Sequence, residues 1–222
     1  MSGHDVNAAM IDYYENVLAE RGISPEGVDW KSREAQEQAF AILAGGIPEH
    51  ASVLDVGCGL AHFGDFLSRA GHRGAYTGID ISERMVEAAR ERNPELDVRC
   101  VDLLADGGAI GPQSYDVVIA CGVFTEHFDV PYDEFEVFVR RLVTRMFEAS
   151  KVHAAFNMLT DAVDFRVDRL HYASPASYLE FGRTLTRYVT IRHDYEAYFF
   201  TVQLHRHARA YPMSPWRPSS TV

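Results

Sequence analysis

The stretch that decides the fold is SVLDVGCGLAHFG, residues 52–64. Its first five residues are rich in apolar side chains, and Gly57 and Gly59 follow directly. The pattern predicts a buried strand, a tight glycine turn and the start of a helix. Glycine also allows a ligand to approach the main chain closely. The stretch therefore predicts a site for a nucleotide-type ligand at the carboxyl end of a strand in an open α/β sheet.

Two residues of this stretch indicate which ligand. Counted from Gly57, the sixth place of a G-x-G-x-x-G pattern is His62. The dinucleotide fingerprint has Gly or Ala at this place so that the helix and strand pack closely, and histidine fits that role badly. Asp55 precedes the glycines, and a carboxylate there would repel a pyrophosphate. It would attract an ammonium or a sulfonium group instead.

With these details, residues 53–59, VLDVGCG, resemble the first motif of the class I S-adenosylmethionine (SAM) dependent methyltransferases. Ala61 departs from the family pattern, which usually has a third glycine at that position. The resemblance covers residues 52–160 by motif and the rest of the chain by strand pattern. It implies SAM as cofactor and S-adenosylhomocysteine (SAH) as product, and SAM carries both cationic groups.

Acidic residues end two later predicted strands. Asp80 follows the glycines at the spacing where an acid accepts hydrogen bonds from ribose hydroxyls; capping of a helix is the alternative role. The resemblance implies that Asp102 accepts from the adenine amino group and that Leu103 touches the ring, whereas an ordinary loop position is the alternative for Asp102. The predicted cofactor-binding residues are Asp55, Gly57, Cys58, Gly59, Asp80, Ile81, Asp102, Leu103, Cys121, Gly122 and Arg33.

Predicted strands and helices alternate along the chain, which indicates a doubly wound α/β fold. We predict a mostly parallel seven-stranded sheet, flanked by helices and ending in an antiparallel hairpin, because the turn between the last two strands is too short for a crossover. The predicted strands are 52–56, 75–80, 96–101, 115–121, 152–158, 188–193 and 198–205; the predicted helices are 7–20, 32–43, 62–70, 83–92, 131–148 and 174–182.

The predicted domain organisation has three parts. Residues 1–46 form helices that, by the resemblance, close a lid on the cofactor cleft, so that Trp30, Arg33 and Gln36 would face the ligand. The alternative is that Trp30 packs in the interior while its polar neighbours are solvated. Residues 47–209 form the SAM-binding domain. Residues 210–222 contain three prolines among polar residues and are expected to be extended or disordered.

The acceptor side is predicted from the segment that follows the fourth strand. Glu126 and His127 resemble the Glu-His pair found there in many small-molecule methyltransferases, and His127 has a suitable intrinsic pKa for a general base. The alternative is that His127 only packs or hydrogen-bonds beneath the cofactor. The predicted acceptor-binding residues are Tyr14, Phe124, Tyr132, Asn157 and Tyr172. Together with the acids nearby in sequence (Asp161, Asp164 and Asp168) they predict an aromatic and acidic pocket that suits a small amine or a phenol; the alternative is that the aromatic residues at strand ends are core residues.

Composition limits the partners. A net charge of -11 argues against a nucleic-acid substrate, and no apolar run approaches the ~20 residues of a membrane helix. The three cysteines and the lack of a secretory signal favour a cytoplasmic protein with reduced thiols. His205 and His207 would share one face of a strand, but no Cys or acidic partner is nearby in sequence, so we expect surface or core histidines and no metal. We expect a monomer or a homodimer.

The predicted function is methyl transfer from SAM to an N or O atom of a small metabolite. Two alternatives stay open: an enzyme of the same fold that cyclises or cleaves SAM or transfers its aminoalkyl group, and a non-catalytic SAM-binding partner protein. The chain lacks the Asp/Asn-Pro-Pro-Tyr pattern of DNA-adenine and glutamine N-methyltransferases after strand four. It also lacks the Pro-Cys pattern of cytosine C5 enzymes, so Cys121 is not expected to be a nucleophile.

Overall fold

The computed structural model describes residues 5–105 and 109–209. Its helices in this part of the chain are α1 (Val6–Arg21), a short 3-10 helix (Glu26–Val28), α2 (Arg33–Ala44), α3 (His62–Arg69), α4 (Glu83–Arg92), α5 (Tyr132–Ala149) and α6 (Pro175–Leu185). The strands are β1 (Val53–Val56), β2 (Tyr76–Asp80), β3 (Asp97–Cys100), β4 (Tyr115–Ala120), β5 (Ser150–Thr160), β6 (Tyr172–Ala173), β7 (Tyr188–Arg192) and β8 (Phe199–His205). The predicted tail, 210–222, lies outside the described residues.

One sheet contains every strand of the described residues: seven lie in the order β3-β2-β1-β4-β5-β8-β7, and β6 pairs with β5 outside this order. The first five strands pair in parallel, and β8 lies antiparallel to both β5 and β7. The predicted doubly wound fold with a C-terminal antiparallel hairpin is confirmed. The structure adds the two-residue strand β6, which pairs with the end of β5 and is not among the predicted strands. Such a strand is too short to show an apolar period in the sequence.

Helix starts follow local capping chemistry. The Ser32 and Ser82 hydroxyls accept hydrogen bonds from the N–H groups of Ala35 and Met85, as N-cap residues do. The predicted end of the last helix at Gly182 is wrong, because α6 continues to Leu185. Gly182 allows close packing instead, since a Cβ there would lie 2.8 Å from a side-chain carbon of Leu204 on β8.

The sheet has an apolar layer on each face. On one face α5 and α6 cover Phe156 and Phe200, and on the other α2 and α3 cover Val117 and Ile119. The central strands β1 and β4 are buried on both faces, which leaves their carboxyl ends as the accessible edge. In doubly wound sheets ligands bind at this edge. Within the described residues, no helix has the length and apolar character needed to span a membrane.

Candidate cofactor site

The glycine turn after β1 has the geometry that the sequence predicts. Gly57 and Gly59 have φ angles of +67° and +50°. A Cβ on Gly57 would lie 2.6 Å from Cγ2 of Val123, so the turn requires glycine for close approach as well as for its backbone conformation. Ala61, at the family's third glycine position, also has a positive φ of 55°. An alanine in this conformation costs about 1 kcal/mol, which the turn tolerates.

A cavity lies between this turn and the N-terminal helices. Residues from α1, from the 3-10 helix and the loop after it, and from α2 contribute to its wall, including Tyr14, Val28 and Phe40. Ten of the predicted cofactor-binding residues line it: Asp55, Gly57, Cys58, Gly59, Asp80, Ile81, Asp102, Leu103, Cys121 and Gly122. The structure therefore brings together residues that come from four separate strand ends.

Arg33 is the predicted cofactor-binding residue that this cavity does not include. Its side chain is 60% exposed, and its Nη1 lies 4.0 Å from Oε1 of Glu37 on the same helix. Trp30 and Gln36, which the sequence also suggested, do line the cavity. Arg33 is the first residue of α2 and is exposed, whereas Gln36 is buried on the same helix.

Asp55 is a buried carboxyl at the centre of the site. Its side chain accepts a hydrogen bond from the Tyr76 hydroxyl at 2.8 Å. Burial raises the pKa of Asp55 to about 7, and the bond from Tyr76 opposes that rise. A cationic group bound beside Asp55 would favour the ionised carboxylate. Asp55 therefore suits a ligand that carries positive charge.

Asp80 closes the turn from the next strand. Its Oδ2 accepts from the Gly59 N–H at 2.9 Å, and its Oδ1 accepts from the Ser82 N–H at 3.0 Å. Burial raises the pKa of Asp80, and these backbone hydrogen bonds oppose the rise. Each carboxylate oxygen has a second lone pair, so Asp80 keeps the capacity to accept from two hydroxyl groups. Ser82, rather than Asp80, supplies the side-chain cap of α4.

Asp102 lies at the end of the cavity near α1. Its Oδ2 accepts from Nδ2 of Asn7 at 2.9 Å, and its Oδ1 accepts from the Leu104 N–H at 2.7 Å. Leu103 is buried and contributes an apolar surface to the same wall. A second polar contact joins α1 to α4, since Ser82 Oγ donates to Glu15 at 2.7 Å. The first helix is thus fixed to the sheet edge at two points.

Two cysteines line the cavity as neutral thiols. Burial raises the pKa of both Cys58 and Cys121 well above the ordinary range. A thiol that does not ionise is a poor nucleophile. This agrees with the expectation that Cys121 takes no covalent part in the chemistry.

Gly122 lies where β4 leaves the sheet, with a φ angle of +77°. A Cβ at this position would be 3.3 Å from the indole ring of Trp30. The Gly122 N–H donates to Oδ1 of Asn157 at 2.8 Å. Asn157 is 1% exposed, and its Nδ2 has no hydrogen-bond partner among the described residues. Asn157 thus presents an unsatisfied donor next to the cavity wall.

The predicted acceptor-binding residues do not share one surface. Tyr14 lines the cavity, and Asn157 contacts its wall through Gly122. Phe124 is fully buried in the core. Tyr132 donates to the carbonyl oxygen of Tyr172, and the Tyr172 hydroxyl accepts from a backbone N–H of the segment between β5 and β6. These three aromatic residues lie outside the cavity wall.

Glu126 and His127 also lie outside the cavity wall. Glu126 is buried and forms an ion pair with Arg169. The Nδ1 of His127 lies 3.0 Å from the carbonyl oxygen of Val130, and its Nε2 lies 2.5 Å from that of Asp168. A neutral imidazole can donate to only one of these oxygens. In this conformation neither ring nitrogen faces the cavity.

His62 is a cavity residue that the cofactor prediction missed. Burial lowers the pKa of His62 to about 4, so the ring is neutral at pH 7. Its Nδ1 is buried without a hydrogen-bond partner among the described residues. The signal available in the sequence was its position directly after the glycine turn, at the start of α3. Among residues 5–105 and 109–209 no cluster of three or more His, Cys, Asp or Glu side chains could hold a metal ion.

Comparison with known proteins identifies the family. Residues 53–146 match the family model described as a methyltransferase domain. The Mycobacterium tuberculosis protein Rv1506c, provisionally named a methyltransferase, is 30% identical over 158 residues, which is 68% of this chain and 90% of that protein. A probable 18S rRNA (guanine-N(7))-methyltransferase of Dictyostelium discoideum is 32% identical over 111 residues, 49% of this chain and 37% of that protein. The chain thus spans little more than a third of this second relative.

The fold matches a solved structure across nearly its whole length. Magnesium protoporphyrin IX methyltransferase from Synechocystis PCC 6803, solved with bound SAM, has a TM-score of 0.65 at 18% identity, covering 93% of this chain and 100% of that one. The relatives include an rRNA enzyme, so they do not support the expectation that nucleic acid is excluded as a substrate. The glycine turn, the acidic strand ends and these similarities agree: the chain belongs to the class I SAM-dependent methyltransferases.

Proposed function

We propose that this methyltransferase binds SAM in the cavity described above and methylates an N or O atom of a small metabolite. The main support for the proposal is that helices cover the cavity at the sheet edge. Its wall combines the carboxyl edge of the sheet with α1, the 3-10 helix and α2. A cavity covered on this side by helices favours a small acceptor and limits the access of water.

The residues of the cavity match the chemistry of the cofactor, and they follow one another along the sheet edge in the same order as its amino-acid, ribose and adenine parts. The buried Asp55 suits the cationic amino-acid end, and Asp80 retains lone pairs for the ribose hydroxyls. Asp102 and Leu103 supply an acceptor and an apolar surface for adenine. SAM supplies an electrophilic methyl group when bound. The protein then has to orient the acceptor and keep water away from it.

In this proposal the segments before β1 act as a lid. The contacts of Asn7 with Asp102 and of Glu15 with Ser82 hold α1 against the sheet edge. The ring of Trp30 packs over Gly122, where β4 ends. Residues 1–46 are therefore proposed as the lid, and residues 47–209 as the cofactor-binding domain.

Asn157 is the proposed polar anchor for the acceptor. It is buried, it is held by the Gly122 N–H, and its Nδ2 has no partner among the described residues. An unsatisfied buried donor costs about 1–3 kcal/mol, which an oxygen of a bound acceptor or an ordered water would relieve. The acceptor is accordingly proposed to carry a carbonyl, carboxylate or hydroxyl oxygen near the atom that is methylated.

The role of His127 as general base stays a prediction. Both of its ring nitrogens contact backbone carbonyl oxygens, so the ring would have to turn before it could accept a proton from a substrate. Glu126 is engaged by Arg169 in the same loop. These contacts support the alternative that His127 only packs and hydrogen-bonds, although its partners are backbone carbonyl oxygens outside the cavity wall.

The substrate class can be tested by tracing the label of methyl-labelled SAM. The protein is incubated with a cell extract separated into a low-mass fraction and an RNA fraction, and with SAM alone. We expect label in the low-mass fraction, and we expect it to disappear in a variant with Asp80 replaced. Label in RNA would show that the small-molecule proposal is wrong, and turnover of SAM without any acceptor would favour the cyclising or cleaving alternative.

A further inference from the structure

A cluster of four residues joins the proposed lid to two loops at the carboxyl edge of the sheet. We call Tyr13, Asp29, Glu126 and Arg169 the Arg169 cluster. Tyr13 lies on α1 and Asp29 directly after the 3-10 helix, whereas Glu126 follows β4 and Arg169 lies between β5 and β6. The cavity wall includes none of these four residues.

The Arg169 guanidinium makes the central contacts of this cluster. Its Nη1 pairs with Oε1 of Glu126, donates to the Tyr13 hydroxyl at 3.1 Å and lies 3.5 Å from Oδ2 of Asp29. The Tyr13 hydroxyl donates to the same oxygen of Asp29 at 2.8 Å. One side chain therefore connects two lid segments with both loops.

The charges of the cluster favour the arrangement in which Arg169 contacts both Glu126 and the lid. The Glu126 side chain is 5% exposed, and Arg169 is its ion-pair partner in the described part of the chain. A carboxylate this buried is costly without a paired cation. Asp29 has a second cation, since Arg21 donates to its other oxygen at 2.6 Å. Arg169 thus supplies the compensating charge for Glu126, and it contacts the lid through Tyr13 and Asp29.

The loop after β4 also touches the cavity wall through aromatic packing. Phe128 and Asp129 have φ angles of +54° and +58°, in the left-handed region that an aromatic residue such as Phe128 rarely adopts. The ring of Phe128 packs 5.4 Å from Tyr13 and 5.7 Å from Tyr14, measured between centroids. Tyr14 lines the cavity. The loop after β4 therefore contacts α1 through Phe128 and is bound to Arg169 through Glu126.

We propose that Arg169 is a positioning residue that holds α1 and the 3-10 helix over the cofactor and thereby limits the rate at which SAH leaves. This inference rests on the proposed placement of the cofactor in the cavity. Asn7, Met10, Ile11 and Tyr14 of α1 form part of the wall, so movement of α1 away from the sheet opens the cavity. The same contact couples the segment between β5 and β6 to the lid.

The direct test compares SAH dissociation rates, measured by chasing bound labelled SAH with excess unlabelled SAH. In Arg169→Ala we expect dissociation about tenfold faster, with little change in the association rate. Arg169→Lys should fall between the two, because an ammonium keeps the charge but not the forked geometry that reaches three partners. The matched control is Arg166→Ala, since Arg166 lies on the same segment but contacts the ring of Tyr172 rather than the lid.

A second variant approaches the cluster from the lid. Asp29 has a φ angle of +58°, a conformation that asparagine tolerates, so Asp29→Asn removes the charge without adding backbone strain. We expect it to accelerate SAH release in the same direction as Arg169→Ala. Hydrogen exchange should also show less protection of the α1 amides in both variants and unchanged protection in Arg166→Ala.

The outcomes separate this inference from the proposed function. If the unaltered protein binds SAH and Arg169→Ala releases it at the same rate with unchanged α1 protection, the positioning role is overturned. Equal acceleration in Arg166→Ala would also overturn it, because the effect would then not depend on the lid contact. A failure of the unaltered protein to bind SAH would overturn both the cofactor placement and the role of Arg169.

Discussion

Replacement of Asp80 tests the cofactor site at the residue where its chemistry is best defined. In the structure both carboxylate oxygens already accept a backbone N–H, from Gly59 and from Ser82. Their remaining lone pairs are the ones we assign to two ribose hydroxyls. Hydrogen bonds to a charged acceptor are each worth about 1.5–3 kcal/mol. Asp80→Ala should therefore weaken SAH binding by about 3 kcal/mol or more, which is at least about a hundredfold in Kd.

The same substitution also leaves two backbone donors without their partner, so its effect on folding has to be separated from its effect on binding. Asp116→Ala is a matched control. Asp116 accepts from the Ser52 N–H and from the Ser52 hydroxyl, both at 2.8 Å, near the opposite end of the sheet. Both variants lose two hydrogen bonds in the fold, but Asp116 does not line the cavity.

The assay is titration calorimetry of SAH into each protein, with urea unfolding to show that each variant folds cooperatively. We expect both variants to lose free energy of unfolding and only Asp80→Ala to lose affinity. If Asp80→Ala folds and binds SAH within about threefold of the unaltered protein, Asp80 does not contact the ribose and the assignment of the cavity fails.

Three further predictions concern other residues. The pKa of Asp55 is raised to about 7 and a bound cation would lower it, so SAM binding at pH 7 should release about half a proton. Calorimetry in buffers of different ionisation enthalpy measures this release. Asp55→Asn should abolish it, and equal release in that variant would contradict the role of Asp55. Gly57→Ala should lower the free energy of unfolding by about 1–3 kcal/mol more than Gly71→Ala does. Both glycines have positive φ angles, but only the new Cβ at position 57 meets another side chain. Equal losses of unfolding free energy in urea would contradict this reasoning. Burial lowers the pKa of His153 to about 4, so the folded state stays neutral while the unfolded state gains a proton below its ordinary pKa of about 6.5. Stability should therefore fall as pH decreases from 6.5 to 4, by up to about 1.4 kcal/mol per pH unit, and His153→Gln should reduce this slope; an unchanged slope would assign the effect to other groups.

The convergence of the proposed cofactor-binding residues on one cavity could be predicted because it follows from local sequence. Each acid follows a predicted strand, and parallel strands bring their carboxyl ends to one edge, so Asp55, Asp80 and Asp102 had to meet. The glycine turn was predictable for the same reason. Arg33 and Gln36 are three residues apart on one helix and lie close together on its surface, so the sequence alone does not tell which of them reaches the cavity; the structure places Gln36 in the wall and leaves Arg33 60% exposed.

The acceptor side was harder because it depends on contacts between distant segments. Phe124 follows β4, and nothing in the sequence tells whether its ring turns to the core or to the edge; the structure packs it against Phe156 at 5.6 Å between centroids. Arg169 lies in a loop without an apolar period, and its partners are far away in sequence. Residues of this kind become visible only when the fold has placed their neighbours.

The central claim is that the cavity between the glycine turn and α1 holds SAM in one orientation. A crystal structure of the protein with SAH tests it most directly. We predict the ribose hydroxyls within hydrogen-bond distance of Asp80, the adenine against Leu103 with its amino group at Asp102, and the amino-acid end beside Asp55 and Gly57. SAH bound elsewhere, or bound in this cavity with its ends reversed, would contradict the account.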